Sequence, residues 1–135
     1  MVWLAVYTAA PRATKIYRVM TVLIVDDHPS FRASARRLLE AEGFDVIGEA
    51  GDGQAAIAAA QQLQPDLVLL DVQLPDLNGF DVAARLAELD LPCAVVLTSS
   101  RNAAEYGPLV TENAVRGFVP KSELSGAVLT ALLSA

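Results

Sequence analysis

Short apolar runs punctuate the chain. Val22-Leu23-Ile24-Val25, Leu67-Val68-Leu69-Leu70 and Ala94-Val95-Val96-Leu97 are each unbroken by a polar residue. Runs this short, bounded by proline or charged residues, read as strands covered on both faces. The pattern predicts strands over 21–25, 44–50, 66–70, 93–97 and 115–119. Between them the apolar spacing changes to that of a helix. Pro29 suits a first helical turn. Phe31, Ala35, Leu38 and Leu39 then form one buried stripe, and Gly43 ends that helix. Asp52 is a candidate N-cap for a helix over 54–63, with Ile57, Ala60 and Leu63 inward. A helix at about 80–89 carries Val82, Leu86 and Leu89, and one over 123–134 carries Leu124, Ala127, Val128, Ala131 and Leu132. Alternation also asks for a helix over 102–113, but Gly107-Pro108 falls in its middle and should break or shorten it.

Strand and helix alternating five times with short connections predict a doubly wound α/β sandwich. In such sheets ligands bind at the carboxyl ends of the strands, near the point where strand order reverses. Asp26, Asp27, Asp71, Thr98 and Lys121 all follow apolar strands. Gathering three carboxylates is unfavourable unless a cation joins them. Magnesium accepts one or two carboxylates, keeps several waters and takes phosphate oxygens. Aspartate is a competent nucleophile for phosphoryl transfer, giving an acyl phosphate. The loop from Val72 to Gly79, with Pro75 and Asn78, is expected to be rigid.

Composition narrows the function. At 135 residues and 53% hydrophobic content the chain is one folded domain, not a disordered one. Net charge is −6, yet residues 1–20 carry Arg12, Lys15 and Arg18 and no acid, which leaves −9 for the remainder. An acidic body argues against direct nucleic-acid binding. No run approaches the roughly 20 apolar residues that span a bilayer. Val2 to Ala10 lacks a charged leader, so no signal peptide is expected and the expected location is the cytoplasm. Cys93 lies in an apolar setting and reads as an inert thiol; a lone cysteine excludes an internal disulfide. Residues 1–20 do not share the later pattern. They are either an upstream mis-assigned start, with Met20 the natural initiator, or an extension packing its apolar stretch on the domain or a partner.

Each residue also has a plainer reading. Asp27 could cap the following helix, Asp71 could be a turn residue, and Thr98 could be a cap, with Ser99 or Ser100 the useful hydroxyl. Lys121 alone would be a solvated charge. His28, next to Pro29, reads as a helix-start residue more readily than as a ligand. Arg32, Arg36 and Arg37 read as a solvated face. The plain account weakens only when the strand ends are taken jointly.

Taken together, Val25-Asp26-Asp27, Leu69-Leu70-Asp71 with Pro75 and Gly79, Leu97-Thr98, and Gly117-Phe118-Val119-Pro120-Lys121 resemble the receiver domains of two-component response regulators. The resemblance runs from Thr21 to the end. Asp27-His28-Pro29 and Phe118-Val119-Pro120-Lys121 look like receivers that precede a helix-turn-helix domain. The resemblance implies a flavodoxin-like fold with parallel strand order 2-1-3-4-5. It implies that Asp71 accepts a phosphoryl group from a phosphohistidine of a sensor histidine kinase or a phosphotransfer protein. Asp26, Asp27, Asp71 and the backbone carbonyl of Gln73 would hold Mg2+. Thr98 and Lys121 would bind the phosphoryl group, and Phe118 would be the aromatic switch. Such a protein is a signalling phosphoacceptor and not an enzyme, and a phosphorylation-dependent homodimer is compatible with it. The chain ends at Ala135, so no effector domain is expected.

Three departures bear on this. Ser122 stands where many receivers have proline after the lysine. Phe118 has no hydroxyl, so any signal it carries must come from packing. Gly107-Pro108 makes the face around 102–113 unusual and is expected to make it mobile. Two other classes fit less well. A hydrolase working through aspartyl phosphate would place its nucleophile on the first strand. A degenerate receiver acting only as a binding module would not need Asp26, Asp27, Asp71, Thr98 and Lys121 intact.

Overall fold

A computed structural model describes residues 18–100 and 115–134. The predicted break at Gly107-Pro108, the 102–113 face and most of the N-terminal segment lie outside the described residues. The elements are β1 (Thr21–Val25), α1 (Pro29–Ala41), β2 (Asp45–Ala50), α2 (Gly53–Leu63), β3 (Leu67–Asp71), α3 (Gly79–Glu88), β4 (Ala94–Ser99), β5 (Gly117–Pro120), a 3-10 turn (Lys121–Glu123) and α4 (Gly126–Ser134). The five strands form one sheet in the order β2-β1-β3-β4-β5, and all four pairings are parallel.

Both faces of the central strands are buried, and alternate side chains serve different layers. Val22 and Ile24 of β1, with Leu67 and Leu69 of β3, pack with Ala35 and Leu39 of α1 and Leu129 of α4. Leu23, Val25, Val68 and Leu70 face the other way, against Ala56, Ile57 and Ala60 of α2 and Val82, Ala83 and Leu86 of α3. Apolar runs without alternation are what a strand needs when helices cover both sides.

The element ends explain why the expected boundaries shift. Asp52 caps α2 as expected, its carboxylate accepting from Ala55 N at 2.7 Å. Asn78 caps α3 by accepting from Asp81 N at 2.8 Å, so this helix begins at Gly79. Gly43 follows α1 with φ of 94°, a left-handed conformation that glycine adopts without strain. Periodicity places Leu63 and Leu89 inward, but they are 41% and 39% exposed, because each sits at the last residue or C-cap of its helix. The final helix starts at Gly126, after the short 3-10 turn, and its fully buried side chain is Leu129, whereas Val128 is 36% exposed. Residues 123–125 therefore do not belong to the helix that periodicity assigns them.

Candidate functional site

The reversal of strand order falls between β1 and β3, which bond to each other and carry their next strands on opposite sides. Their carboxyl ends therefore deliver Asp26, Asp27 and Asp71 to one edge. Asp71 is the last residue of β3, and Thr98 lies directly opposite it in the ladder with β4. Thr98 is thus inside its strand, and not just beyond it as a strand ending at 97 would place it. Lys121 enters from the 3-10 turn after β5.

The side chains meet. Lys121 Nζ lies 2.6 Å from Asp26 Oδ2 and 3.2 Å from Asp71 Oδ2, and 4.6 Å from the centroid of the Phe31 ring. Cation–π attraction of this kind adds to the hold on the ammonium. Asp26 Oδ2 has that ion pair but no hydrogen bond of normal geometry. Asp26 Oδ1 accepts from His28 N at 2.8 Å. Asp71 Oδ1 accepts from Gln73 N at 3.1 Å, which brings the Gln73 backbone beside the carboxylates. Asp26 and Thr98 are fully buried and Asp71 almost so, whereas Asp27 and His28 are exposed.

The two buried acids are unequal. Burial pushes the Asp26 carboxyl up, but the Lys121 ammonium and the His28 N–H outweigh it and hold it below the ordinary carboxylate range. Burial pushes Asp71 up as well; the Gln73 N–H and Lys121 do not compensate, because the Asp26 charge adds to the rise, and the net shift is upward. The distances explain the split, since Lys121 stands nearer to Asp26. Burial lowers the Lys121 ammonium, but the two carboxylates more than restore it. Asp71 is left as the acid whose charge is least compensated.

Thr98 Oγ1 is buried and has no hydrogen-bond partner. Leaving a buried hydroxyl unpaired costs about 1–3 kcal/mol. A group that approached Asp71 with acceptor oxygens would relieve that cost.

The loop after Asp71 is braced from both ends. Gln73 and Asn78 form a β-bridge, and Gly79 N donates to Val72 O at 2.6 Å. A Cβ on Gly79 would stand 2.6 Å from Asp71 O and 2.9 Å from Val72 Cα, so only glycine lets α3 begin this close to the acid. Asp76 accepts from Gly53 N at 2.7 Å and Gln54 N at 3.0 Å, tying the loop to the first turn of α2. These N–H groups, with that of Leu77, hold the Asp76 carboxyl below the ordinary range. Sequence reasoning does not single out Asp76; the one signal is an acid between Pro75 and Gly79.

Several further sequence expectations meet the structure here. His28 is at the helix start, but its side chain makes no cap; Nδ1 lies 3.0 Å from Asp26 Oδ1 and 3.1 Å from Asp27 Oδ1. Asp27 is not the cap either. Arg32 and Arg36 pair with Glu49, and Arg32 also donates to the Asp26 carbonyl at 2.6 Å, so Arg32 braces the acidic turn. Phe118 is half-buried on β5, packed against the layer under α2 and α3. Burial pushes the Cys93 thiol up, which suits an inert thiol. A hollow of about 610 Å³ opens instead at the amino ends of the strands, beside Arg18, Asp66 and Arg116; it holds none of the site residues.

The donor set fits a hard divalent cation. One atom each from Asp26, Asp27, His28 and Asp71 lies within 4.8 Å of the others. The three carboxylates exceed Lys121 by two negative charges.

A family profile described as the response regulator receiver domain matches residues 22–133. The chain is 41% identical over 102 residues to a putative transcriptional regulator of Pseudomonas aeruginosa, covering 76% of this chain and 49% of the relative. It is 30% identical over 116 residues to the DNA-binding transcriptional activator EvgA of Escherichia coli K12, covering 86% of this chain and 57% of EvgA. The chain thus spans about half the length of the relatives it matches. Among solved structures, the signal receiver domain of NarL from Mycobacterium tuberculosis superposes with a TM-score of 0.77 at 32% identity, covering 87% of this chain and 99% of that one. Among the described residues no helix is long and apolar enough to cross a membrane.

Proposed function

The chain belongs to the response regulator receiver domain family, and from that premise we propose that it is a phosphoacceptor in which Asp71 is the residue modified. The donor is a phosphohistidine on a sensor histidine kinase or a phosphotransfer protein. An Asp71 carboxylate oxygen attacks phosphorus, the P–N bond breaks, and the imidazole leaves with the electron pair and takes a proton. The product is an acyl phosphate carrying about −1.5 to −2 charge.

Several features of this chain support the reading. Of the two buried acids Asp71 is the less compensated, because Lys121 stands nearer to Asp26. Lys121 already lies within 3.2 Å of Asp71 Oδ2 and can follow the new charge. Asp26, Asp27, Asp71 and the Gln73 carbonyl are the groups that would hold Mg2+. When bound, that ion neutralises charge on the transferring oxygens. The observation that carries the proposal is the buried, partnerless Thr98 hydroxyl in register with Asp71. A phosphoryl oxygen supplies the acceptor it lacks, with charge-assisted strength. Moving Thr98 toward it opens space beside Phe118, one ladder position away on β5, and Phe118 can respond by packing alone. This couples the chemistry to the outer face of the sheet.

We assign the receiver proper to residues 21–135, with 1–20 either an extension or an upstream mis-assigned start. The site works as a switch that assists only its own modification, not as a turnover enzyme. Its setting is the cytoplasm, where kinase and regulator meet. Relatives such as EvgA are DNA-binding activators, but the net −9 beyond residue 20 favours output through protein contacts of this domain. The test is incubation with a small-molecule phosphodonor and Mg2+, followed by intact-mass measurement. A gain of one phosphoryl group that is lost in Asp71→Asn is expected. No gain would favour a pure binding module, and steady turnover of an organophosphate a hydrolase.

A further inference from the structure

We propose that His28 is a fourth side-chain donor to the cation site, so that the site takes imidazole-preferring transition ions such as Ni2+ more tightly than its oxygen ligands alone would allow. The inference rests on the metal-site part of the reading above.

The His28 distances equal those between neighbouring ligands of one ion. His28 Nδ1 lies 3.0 Å from Asp26 Oδ1 and 3.1 Å from Asp27 Oδ1. Donors bound at about 2.1 Å to one octahedral ion stand about 3.0 Å apart across each edge and about 4.2 Å apart across the centre. The four donor atoms, including that of Asp71, lie within 4.8 Å of one another, so the widest pair must draw in by up to about 0.6 Å around the ion. The attachment of the ring is fixed. His28 N donates to Asp26 Oδ1, its carbonyl accepts from Arg32 N at 3.1 Å, and Pro29 opens the helix behind it. The side chain is 65% exposed, so the open side of the cluster is where the imidazole stands.

One observation lies outside the acidic cluster's own contacts. The fully buried Thr98, in register with Asp71, has a hydroxyl with no hydrogen-bond partner. The excess of two negative charges over Lys121 matches one divalent ion. An all-oxygen set suits magnesium, whereas adding imidazole shifts preference along the series toward nickel, copper and zinc. A plain hydrogen bond from His28 to the acids makes the opposite prediction, because the ring would then compete with any ion for the same oxygens.

The chain has a single histidine, which makes the test specific. The untagged full chain is titrated with Ni2+ and with Mg2+, as wild type and as His28→Ala. The inference expects His28→Ala to weaken Ni2+ by about tenfold or more beyond any change for Mg2+. Pulsed EPR of the Cu2+-loaded wild type should show imidazole nitrogen modulation that is absent from His28→Ala. Equal effects on the two ions, or a wild-type spectrum without imidazole nitrogen, overturn it. Phosphorylation of the wild type in Mg2+ is measured in parallel. Its failure would refute the phosphoacceptor reading while the nitrogen signal still upheld the metal donor.

Discussion

Asp71 and Thr98 face one another across the β3–β4 ladder, the first with a charge its neighbours only partly balance and the second with a buried hydroxyl bonded to nothing. Replacing Thr98 by valine removes the unpaired hydroxyl at nearly constant volume. The unmodified protein should gain about 1 kcal/mol of unfolding free energy. The gain should vanish or reverse when the phosphoryl analogue beryllofluoride is bound, because a valine side chain cannot donate to it. Urea unfolding with and without the analogue measures both; a valine variant stabilised equally in the two states would refute the role of Thr98.

Asp27 is the exposed member of the acidic cluster, so its removal separates metal binding from folding. Without metal, Asp27→Ala should unfold at the wild-type temperature or slightly above, because one repulsive charge is gone. Magnesium at about a hundred times its Kd should stabilise the wild type by about 2.7 kcal/mol. The same magnesium concentration should do much less for Asp27→Ala. Thermal melts across a magnesium series give the answer.

Gly79 lets α3 start against the Asp71 carbonyl. Alanine there would bring Cβ to 2.6 Å from that oxygen, and backbone must move. Gly79→Ala should cost about 2–3 kcal/mol and should displace the loop that carries Gln73. Magnesium affinity should therefore fall together with stability. A variant that loses stability but keeps the wild-type affinity would show that the displacement stops short of the site.

Asp66 sits at the other end of β3. It accepts from Thr21 N at 2.8 Å and Thr21 Oγ1 at 2.9 Å, and it pairs with Arg18. Burial pushes its carboxyl up, but these donors outweigh the rise and the folded value is depressed. Its contribution is therefore present above the unfolded value of about 3.9 and is lost as pH falls through the lower folded value. Asp66→Ala should destabilise by about 1–2 kcal/mol at neutral pH. The gap to wild type should close below pH of about 4. A gap that stays constant down to the acid transition would contradict this.

The five strands and their order of appearance are legible in the sequence because a strand covered on both faces must be apolar throughout, and polar residues can enter such a run only near its ends. The acids at 26, 27 and 71 and the lysine at 121 follow from that logic and meet in space. Thr98 reads one step too late, as a residue after the strand, because Thr has good β propensity and does not mark a strand's end. The contacts of His28 and Asp76 are hidden for a different reason. Their partners are decided by the path of a turn and not by the period of a helix or strand. His28 reaches two acids through the Asp26 carboxylate's hold on its own backbone, and Asp76 reaches α2 across 23 residues of chain. Leu63 and Leu89 are over-assigned to the core because periodicity continues to the point where a helix runs out of neighbours, and Val128 because its helix begins only at Gly126 and turns Leu129 inward instead.

The two-faced burial of β3 has one more consequence. A one-residue slip in a strand normally exposes its apolar side chains, and that penalty keeps the register. Sliding Leu67-Val68-Leu69-Leu70 by one position would merely exchange one apolar set for another, so the core itself is nearly indifferent to the slip. The candidate site is not, since about 3.3 Å of travel would carry Asp71 away from Lys121 and Thr98. The strand is kept in step by its two polar ends, with Asp66 hooked to Thr21 and Arg18 below and Asp71 held by Gln73 and Lys121 above. Asp66 thus acts as a distant alignment pin, a residue through which damage at the foot of the sheet would be felt as mistiming at its head.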